Sequence, residues 1–288
     1  KLITGNGAKK VDVLNKRVSL ENGESLEFDK LLAAIGGTPF IPPIEGLADS
    51  DYYQINSVTE ADKIIDKAKM GGNAIVMGGG LTGIEMSFAL SRLGMKVTLV
   101  EMQPKLLPLQ LDADSTRVMA KFLEMEGITV MTGTAITRVY AEGKKYVLLA
   151  DGNTLEYDML LIAVGTRPNL DFIKDSGIEC KRGILVDEYL KSSASDIYAA
   201  GDVAEAVNKL SNEYVTSYIW PNALAQGRCA AYNMTDTPRK FSAGSVMQNM
   251  VQMRDMPFVS MGLVNPKDDG YDVRIKNDLQ NGIYKKFV

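Results

Sequence analysis

Histidine is missing from all 288 residues. Imidazole bases, Ser-His pairs and ordinary histidine metal sites are thereby excluded from this chain. Cysteine is nearly missing: Cys180 and Cys229 stand far apart and form no CxxC, so neither a redox dithiol nor a zinc site is encoded. Both are expected to be small buried apolar residues. A charge excess of one sign is also lacking, with 32 Lys and Arg against 36 Asp and Glu, a net charge of -4 and a pI near 5.2. No global field gathers phosphate backbones or anionic lipid, so neither nucleic acid nor a membrane surface is an expected partner. No apolar run approaches the roughly 20 residues of a membrane helix. The start, Lys1-Leu2-Ile3-Thr4-Gly5, has no signal-peptide layout, and a cytoplasmic protein is expected. The remaining composition, 45% hydrophobic and 24% charged, is that of a soluble globular chain with room for about two domains.

What the chain does contain begins with a duplication. Residues 22–40, NGESLEFDKLLAAIGGTPF, lie without gaps over residues 151–169, DGNTLEYDMLLIAVGTRPN, at a constant offset of 129 residues. Gly23/Gly152, Leu26/Leu155, Glu27/Glu156, Asp29/Asp158, Leu31/Leu160, Leu32/Leu161, Ala34/Ala163, Gly36/Gly165 and Pro39/Pro168 are identical. Each copy reads as a tight Asn-Gly or Asp-Gly turn, a short strand, and an almost wholly apolar strand ending at glycine and proline. Such continuous apolar strands belong in sheets covered on both faces. A nucleotide unit precedes the second copy; its counterpart for the first copy is expected ahead of residue 1.

That unit begins with the apolar strand NAIVM, residues 73–77, which runs into Gly78-Gly79-Gly80-Leu81-Thr82-Gly83. An amphipathic segment follows through Ile84, Met86, Ala89, Leu90 and Leu93, and a second strand from Lys96 to Val100 ends at Glu101. A glycine triplet alone is commonly only a turn; here strand, turn, helix, strand and acid all stand in the order of a dinucleotide fingerprint. Gly78 allows the sharp turn, Gly80 lets backbone approach a diphosphate, and Gly83 lets helix and strand pack closely. The helix start presents free N–H groups and positive dipole, with Leu81 and Thr82 bordering the ligand. Glu101 is expected to accept the adenosine ribose hydroxyls. A 2'-phosphate there would meet a carboxylate, which favours NADH over NADPH, although Lys105 is close in sequence. Two readings of Glu85 stay open: a complement to the helix dipole, or the acid-base candidate on the nicotinamide side. Ser57 and Glu60 read as a capping box, Asp112 opens a helix running to Met125, and residues 128–150 read as strands joined at Glu142-Gly143.

These residues resemble the pyridine nucleotide-disulfide oxidoreductase superfamily, flavoproteins that include NADH:rubredoxin reductases, NADH oxidases and peroxidases, and the flavin domain of NADH-dependent nitrite reductases. The resemblance covers essentially the whole chain. AAIGGTP, residues 33–39, is similar to the family's first domain-crossing motif, whose glycine, here Gly36, borders FAD. AVGTRPN, residues 163–169, resembles the second, whose glycine, here Gly165, borders NADH. SSASDIYAAGD, residues 192–202, matches the late FAD motif, implying that Gly201 approaches the flavin cofactor and Asp202 accepts ribityl hydroxyls. Asn222 and Ala223 then open a helix over 223–232 whose positive end would face the flavin pyrimidine edge. From residue 241 the text resembles the opening of the family's interface domain.

The resemblance implies an α/β fold with two Rossmann-like FAD/NAD(P)-binding domains, each with a central parallel sheet and a β-meander. The first is incomplete, and the start of an α+β interface domain follows. The expected division is 1–56 and 169–238 for the FAD-binding domain, 57–168 for the NADH-binding domain, and 239–288 for the interface domain. It implies an FAD-dependent oxidoreductase that passes hydride from NADH to FAD and onward to a small-molecule or redox-protein acceptor, as a homodimer when full length. Where many relatives carry an aromatic ring over the flavin, this chain has Leu81. The family's first FAD fingerprint is absent from the sequence, so both ends are expected to be cut and FAD binding impaired. A flavin-free NAD-binding module is the alternative. A simple Rossmann dehydrogenase would need a proton-relay residue that the sequence does not offer, and the duplicated crossing motif argues against it.

Overall fold

Strand Asn73–Met77 is apolar at four successive positions, and both of its faces are covered. The computed structural model describes residues 1–241, 248–254, 256–266, 270–278, 281 and 283–288. In it this strand lies inside a four-stranded parallel sheet, in the order Met159–Ile162, Asn73–Met77, Lys96–Glu101, Thr129–Thr132. Ala74 and Val76 face a core shared with Ile64, Ile84, Leu90, Met119 and Leu123. These come from helices α1 (Val58–Ala68), α2 (Leu81–Arg92) and α3 (Ala113–Met125). Ile75 and Met77 face the opposite way, against Ile136, Val139, Val147, Leu149 and Tyr157. Those belong to the antiparallel meander Ile136–Glu142, Lys144–Leu149, Thr154–Tyr157. Each such side chain, taken wholly out of water, contributes about 1.5–3 kcal/mol of hydrophobic stabilisation.

The expected helix starts are present. Ser57 Oγ accepts from the Glu60 N–H at 3.2 Å, while the Glu60 carboxylate reaches back to the Asn56 N–H at 2.7 Å. The turn at Glu142-Gly143 is also formed, with Gly143 at φ +74.

The chain divides into two compact units, residues 1–38 with 166–248, and residues 39–165 with 249–288. The first unit holds a meander of Ala8–Asp12, Arg17–Leu20 and Ser25–Glu27 and a parallel pair of Leu31–Ala33 with Ile197–Ala199. It also holds a sheet of Ile184–Leu185, Ala204–Asn208 and Glu213–Thr216, and helix α4 (Trp220–Met234). Val11, Val18, Leu20, Ala33, Ile197, Ala199, Val203 and Ala230 are among the residues of its single core. Both copies of the duplicated segment fold alike. The Gly23 N–H donates to Leu20 O and the Gly152 N–H to Leu149 O, at 3.1 and 3.0 Å, and both glycines sit at φ +87. Strands Gly37–Pro39 and Thr166–Pro168, the matching tails of the two copies, pair with each other.

The boundaries differ from the sequence expectation. Residues 39–56 belong with the parallel sheet, because Tyr53 bridges Leu161 and Leu47 is fully buried beside Leu160 and Ile162. Val251, Met253 and Phe258 join the same unit's core. Residues 242–247 and 255, which fall in the expected interface stretch 239–288, lie outside the described residues, as do 267–269, 279–280 and 282. Cys229 is buried as expected but Cys180 is exposed. Cys180 bridges Ile184 at a sheet edge, and the core positions there go to Ile178 and Ile184. Among the described residues no helix is long and apolar enough to cross a membrane.

Asp112 ties the last strands to α3. It is the N-cap of α3 in a reciprocal box with Ser115, and its Oδ2 accepts from the Tyr284 hydroxyl and lies 3.3 Å from Lys286 Nζ. Burial alone would raise the Asp112 carboxyl, but the Ser115 and Tyr284 hydroxyls, the Ser115 N–H and Lys286 outweigh it and hold the group far below the carboxylate range. Burial and the Asp112 charge keep the Tyr284 phenol protonated well above its usual range. A depressed carboxyl stabilises the fold above its unfolded pKa, so stability is expected to fall with pH below about 4; a raised phenol loses its contribution above about 10. Asp112→Ala is expected to cost about 1–3 kcal/mol at neutral pH and to flatten the acid limb in denaturant titrations. An acid limb identical to the parent's would contradict this role.

Candidate nucleotide-binding site

The turn after strand Asn73–Met77 admits only glycine at two places. Gly78 lies at φ +111, and a Cβ there would come within 2.4 Å of the Ala163 carbonyl oxygen. A Cβ on Gly83, in the first turn of α2, would lie 1.8 Å from the Gly78 carbonyl oxygen. The helix therefore begins in contact with the strand end. Gly80 is different: it is the N-cap of α2, offers no side-chain cap, and a Cβ on it would meet nothing within 4 Å. The head of α2 thus has no side-chain cap and open space where a Cβ on Gly80 would go, with the positive end of the helix dipole behind it.

Glu101 ends the neighbouring strand and lies against this turn. Its Oε2 accepts from the Gly79 N–H at 2.5 Å and its Oε1 from the Gln103 N–H at 2.6 Å. A carboxylate has about four acceptor positions, so two remain for further donors. Lys105, whose closeness in sequence left the charge balance open, directs Nζ to the Leu111 carbonyl at 3.2 Å. Leu81 packs on the helix-side core, and Thr82 is exposed at the second position of α2. Glu85 stands one turn further along; although exposed by area, its carboxyl is partly desolvated and its pKa is raised. Gly165, at φ +107 with open space around it, lies two residues beyond Ala163, which packs under Gly78.

The first unit gathers a second group. Gly36 (φ +62) follows strand Leu31–Ala33, and Gly201 (φ +78) follows its parallel partner Ile197–Ala199, with the Ala200 N–H donating to Ala33 O at 3.1 Å. Gly201 faces the first turns of α4, where a Cβ would come 3.6 Å from that of Ala223, and its N–H donates to Gln226 Oε1 at 2.7 Å. Helix α4 starts at Trp220, three residues before the expected start at Ala223, because Pro221 suits its first turn. Asn222 is consequently helical and buried, donating to Ser217 Oγ at 2.7 Å. Burial raises the Asp202 carboxyl above its usual range, and among the described residues no donor offsets that desolvation. A half-buried carboxylate of this kind suits a ligand that brings hydroxyls.

Two residues of these sites, Gln226 and Leu107, carry no sequence signal, and a third, Asn169, lies in the second crossing motif but its contacts are not announced there. Gln226, 3% exposed, is indistinguishable in sequence from a surface amide. Leu107 donates its N–H to Gly79 O at 3.0 Å, a backbone role that side-chain chemistry does not announce. Asn169 joins Thr38 Oγ1 to the carbonyl of Ile35, next to Gly36.

Residues 1–227 match the family described as pyridine nucleotide-disulphide oxidoreductase. The chain is 33% identical over 240 residues to an NADH oxidase of Methanocaldococcus jannaschii, covering 80% of this chain and 53% of that protein. It is 30% identical over 288 residues to an NAD(P)H nitrite reductase of Bacillus subtilis, covering all of this chain and 35% of that one. The chain thus spans about half the length of the first relative and about a third of the second. The solved structure of a water-forming NADH oxidase from Lactobacillus brevis bound to NADH has a TM-score of 0.88 and 26% identity, covering 95% of this chain and 63% of that one.

Gly80→Ala is expected to leave thermal stability within about 0.5 kcal/mol of the parent while weakening NADH binding at least about ten-fold. Gly83→Ala should destabilise the fold by about 1–3 kcal/mol or more. Calorimetry of both variants checks the pair; undiminished NADH affinity in Gly80→Ala places the diphosphate elsewhere.

Proposed function

The chain belongs to the pyridine nucleotide-disulphide oxidoreductase family, and on that premise we propose that it is the nucleotide-handling part of an FAD-dependent NADH oxidoreductase. The observation that carries the reading is the open approach to Gly80 at the uncapped head of α2, with the Glu101 carboxylate beside it. Backbone N–H groups at Leu81, Thr82 and Gly83 bind the NADH diphosphate, and Glu101 holds the adenosine ribose. The same carboxylate repels a 2'-phosphate, and Lys105 is engaged at Leu111. Gly165 borders the nicotinamide half, and Glu85, with its raised carboxyl pKa, is the acid-base candidate there.

In the first unit Asp202 accepts ribityl hydroxyls, Gly36 and Gly201 admit the cofactor closely, and Asn222 and Ala223 set the start of α4. Its helix dipole favours negative charge on a flavin pyrimidine edge. The desolvated Asp202 carboxyl, which has no hydrogen-bond donor among the described residues, and the left-handed conformation at Gly201 support this fit. When bound, FAD supplies the two-electron acceptor for the nicotinamide hydride and passes electrons to a small-molecule or redox-protein acceptor. A homodimer of the longer protein is part of the reading; exposed Met250, Val259 and Met261 on the paired strands Gln248–Met253 and Met256–Met261 support it. Nothing in the comparisons favours the flavin-free module.

Protein supplied with FAD is expected to show flavin absorbance that NADH bleaches in the absence of air, and NADPH at least about ten-fold more slowly, as a like-charge clash of a few kcal/mol requires. Asp202→Ala should lower FAD retention. Protein that binds NADH but takes up no flavin would establish the NAD-binding module instead.

A further inference from the structure

Gly79 is held on both sides by residues of the chain itself. Its N–H donates to Glu101 Oε2 at 2.5 Å, and its carbonyl accepts from the Leu107 N–H at 3.0 Å. A Cβ on Gly79 would lie 2.6 Å from Leu106 Cδ2 and 3.0 Å from Glu101 Cβ, so both residues press directly on this glycine. The Gln103 N–H fixes the other oxygen of Glu101. The turn carrying Leu106 and Leu107 is itself anchored: both side chains are 1% exposed, and the Thr116 hydroxyl donates to Leu106 O at 2.6 Å. Leu107 sits at φ +48, a left-handed conformation that is costly for a side-chain-bearing residue and persists only where the surroundings over-determine it. The N–H of this same residue is the one that reaches the Gly79 carbonyl.

We propose that Glu101 and the Leu106-Leu107 turn form a clamp that preforms the glycine loop, making Glu101 a positioning residue for the diphosphate as well as the holder of the adenosine ribose. The proposal rests on the nucleotide reading of the site and adds a consequence to it. Removing Glu101 to admit a 2'-phosphate leaves the buried Gly79 N–H without its acceptor and loosens the loop, so deleting the acid does not by itself convert the protein to NADPH. Loss of such a buried, charge-assisted bond is felt by every ligand that uses the loop, with or without ribose hydroxyls.

The test uses ADP and 2',3'-dideoxy-ADP as calorimetric probes and amide hydrogen exchange at Gly79 in ligand-free protein. Glu101→Ala is expected to weaken both nucleotides about ten-fold or more and to speed Gly79 exchange by a similar factor. Glu101→Gln keeps one acceptor but sets an NH2 group against the Gly79 or the Gln103 N–H, so its dideoxy-ADP affinity and Gly79 exchange are expected to fall between those of the parent and Glu101→Ala. Glu101→Leu, bulky but without an acceptor, stands in if the alanine variant does not fold. Weakened ADP binding with unchanged dideoxy-ADP affinity and unchanged Gly79 exchange would reduce Glu101 to a ribose ligand and overturn the clamp. If neither nucleotide binds the parent protein, the nucleotide reading fails on its own account; Gly79 exchange still decides the clamp, and unchanged exchange overturns it.

Discussion

Helix α2 starts in contact with the end of strand Asn73–Met77 because Gly83 and the Gly78 carbonyl meet at a distance no side chain could share. That approach fixes where the head of the helix points. A methyl group at Gly83 would push α2 away from the sheet and shift the helix head beside Gly80. Ala163 closes the turn from the other side, since its carbonyl occupies the place a Cβ on Gly78 would need. The candidate nucleotide site is thus made chiefly by backbone, and its tolerances are those of packed peptide groups.

The first unit solves a related problem with different parts. Two short parallel strands, Leu31–Ala33 and Ile197–Ala199, deliver Gly36 and Gly201 at their ends. Helix α4 is held to the second glycine by the buried amide of Gln226. A glycine in the left-handed region supplies the turn, and a side-chain acceptor does the work that Glu101 does for Gly79. In both units an acceptor from a neighbouring element holds a loop amide in place.

Much of this was legible in the residues. The duplication predicted two copies of one turn-strand-strand unit, and the matching hydrogen bonds at Gly23 and Gly152 show it. The glycine-rich turn and the acid at the end of the next strand were readable because the turn needs glycine at Gly78 and Gly83 for steric reasons. The division at 38/39 and 165/166 was not legible. Residues 39–56 are expected with the FAD-binding domain, and their allegiance depends on Tyr53 finding Leu161 and Leu47 finding the meander side of the sheet. The exposure of Cys180 likewise follows from which neighbours won the core.

The sequence by itself determined the periodicity of the strands, the helix caps and the positions at which only glycine fits, because these depend on bond geometry and on neighbours within a few residues. Tertiary structure alone decided that Glu101 grips Gly79, that Lys105 turns to Leu111, that Gln226 holds Gly201 and that Asp112 receives Tyr284 and Lys286. Those pairings bring together groups from separate elements or turns, and a hydrogen bond acts only over the last 3 Å or so of approach, which packing must supply first.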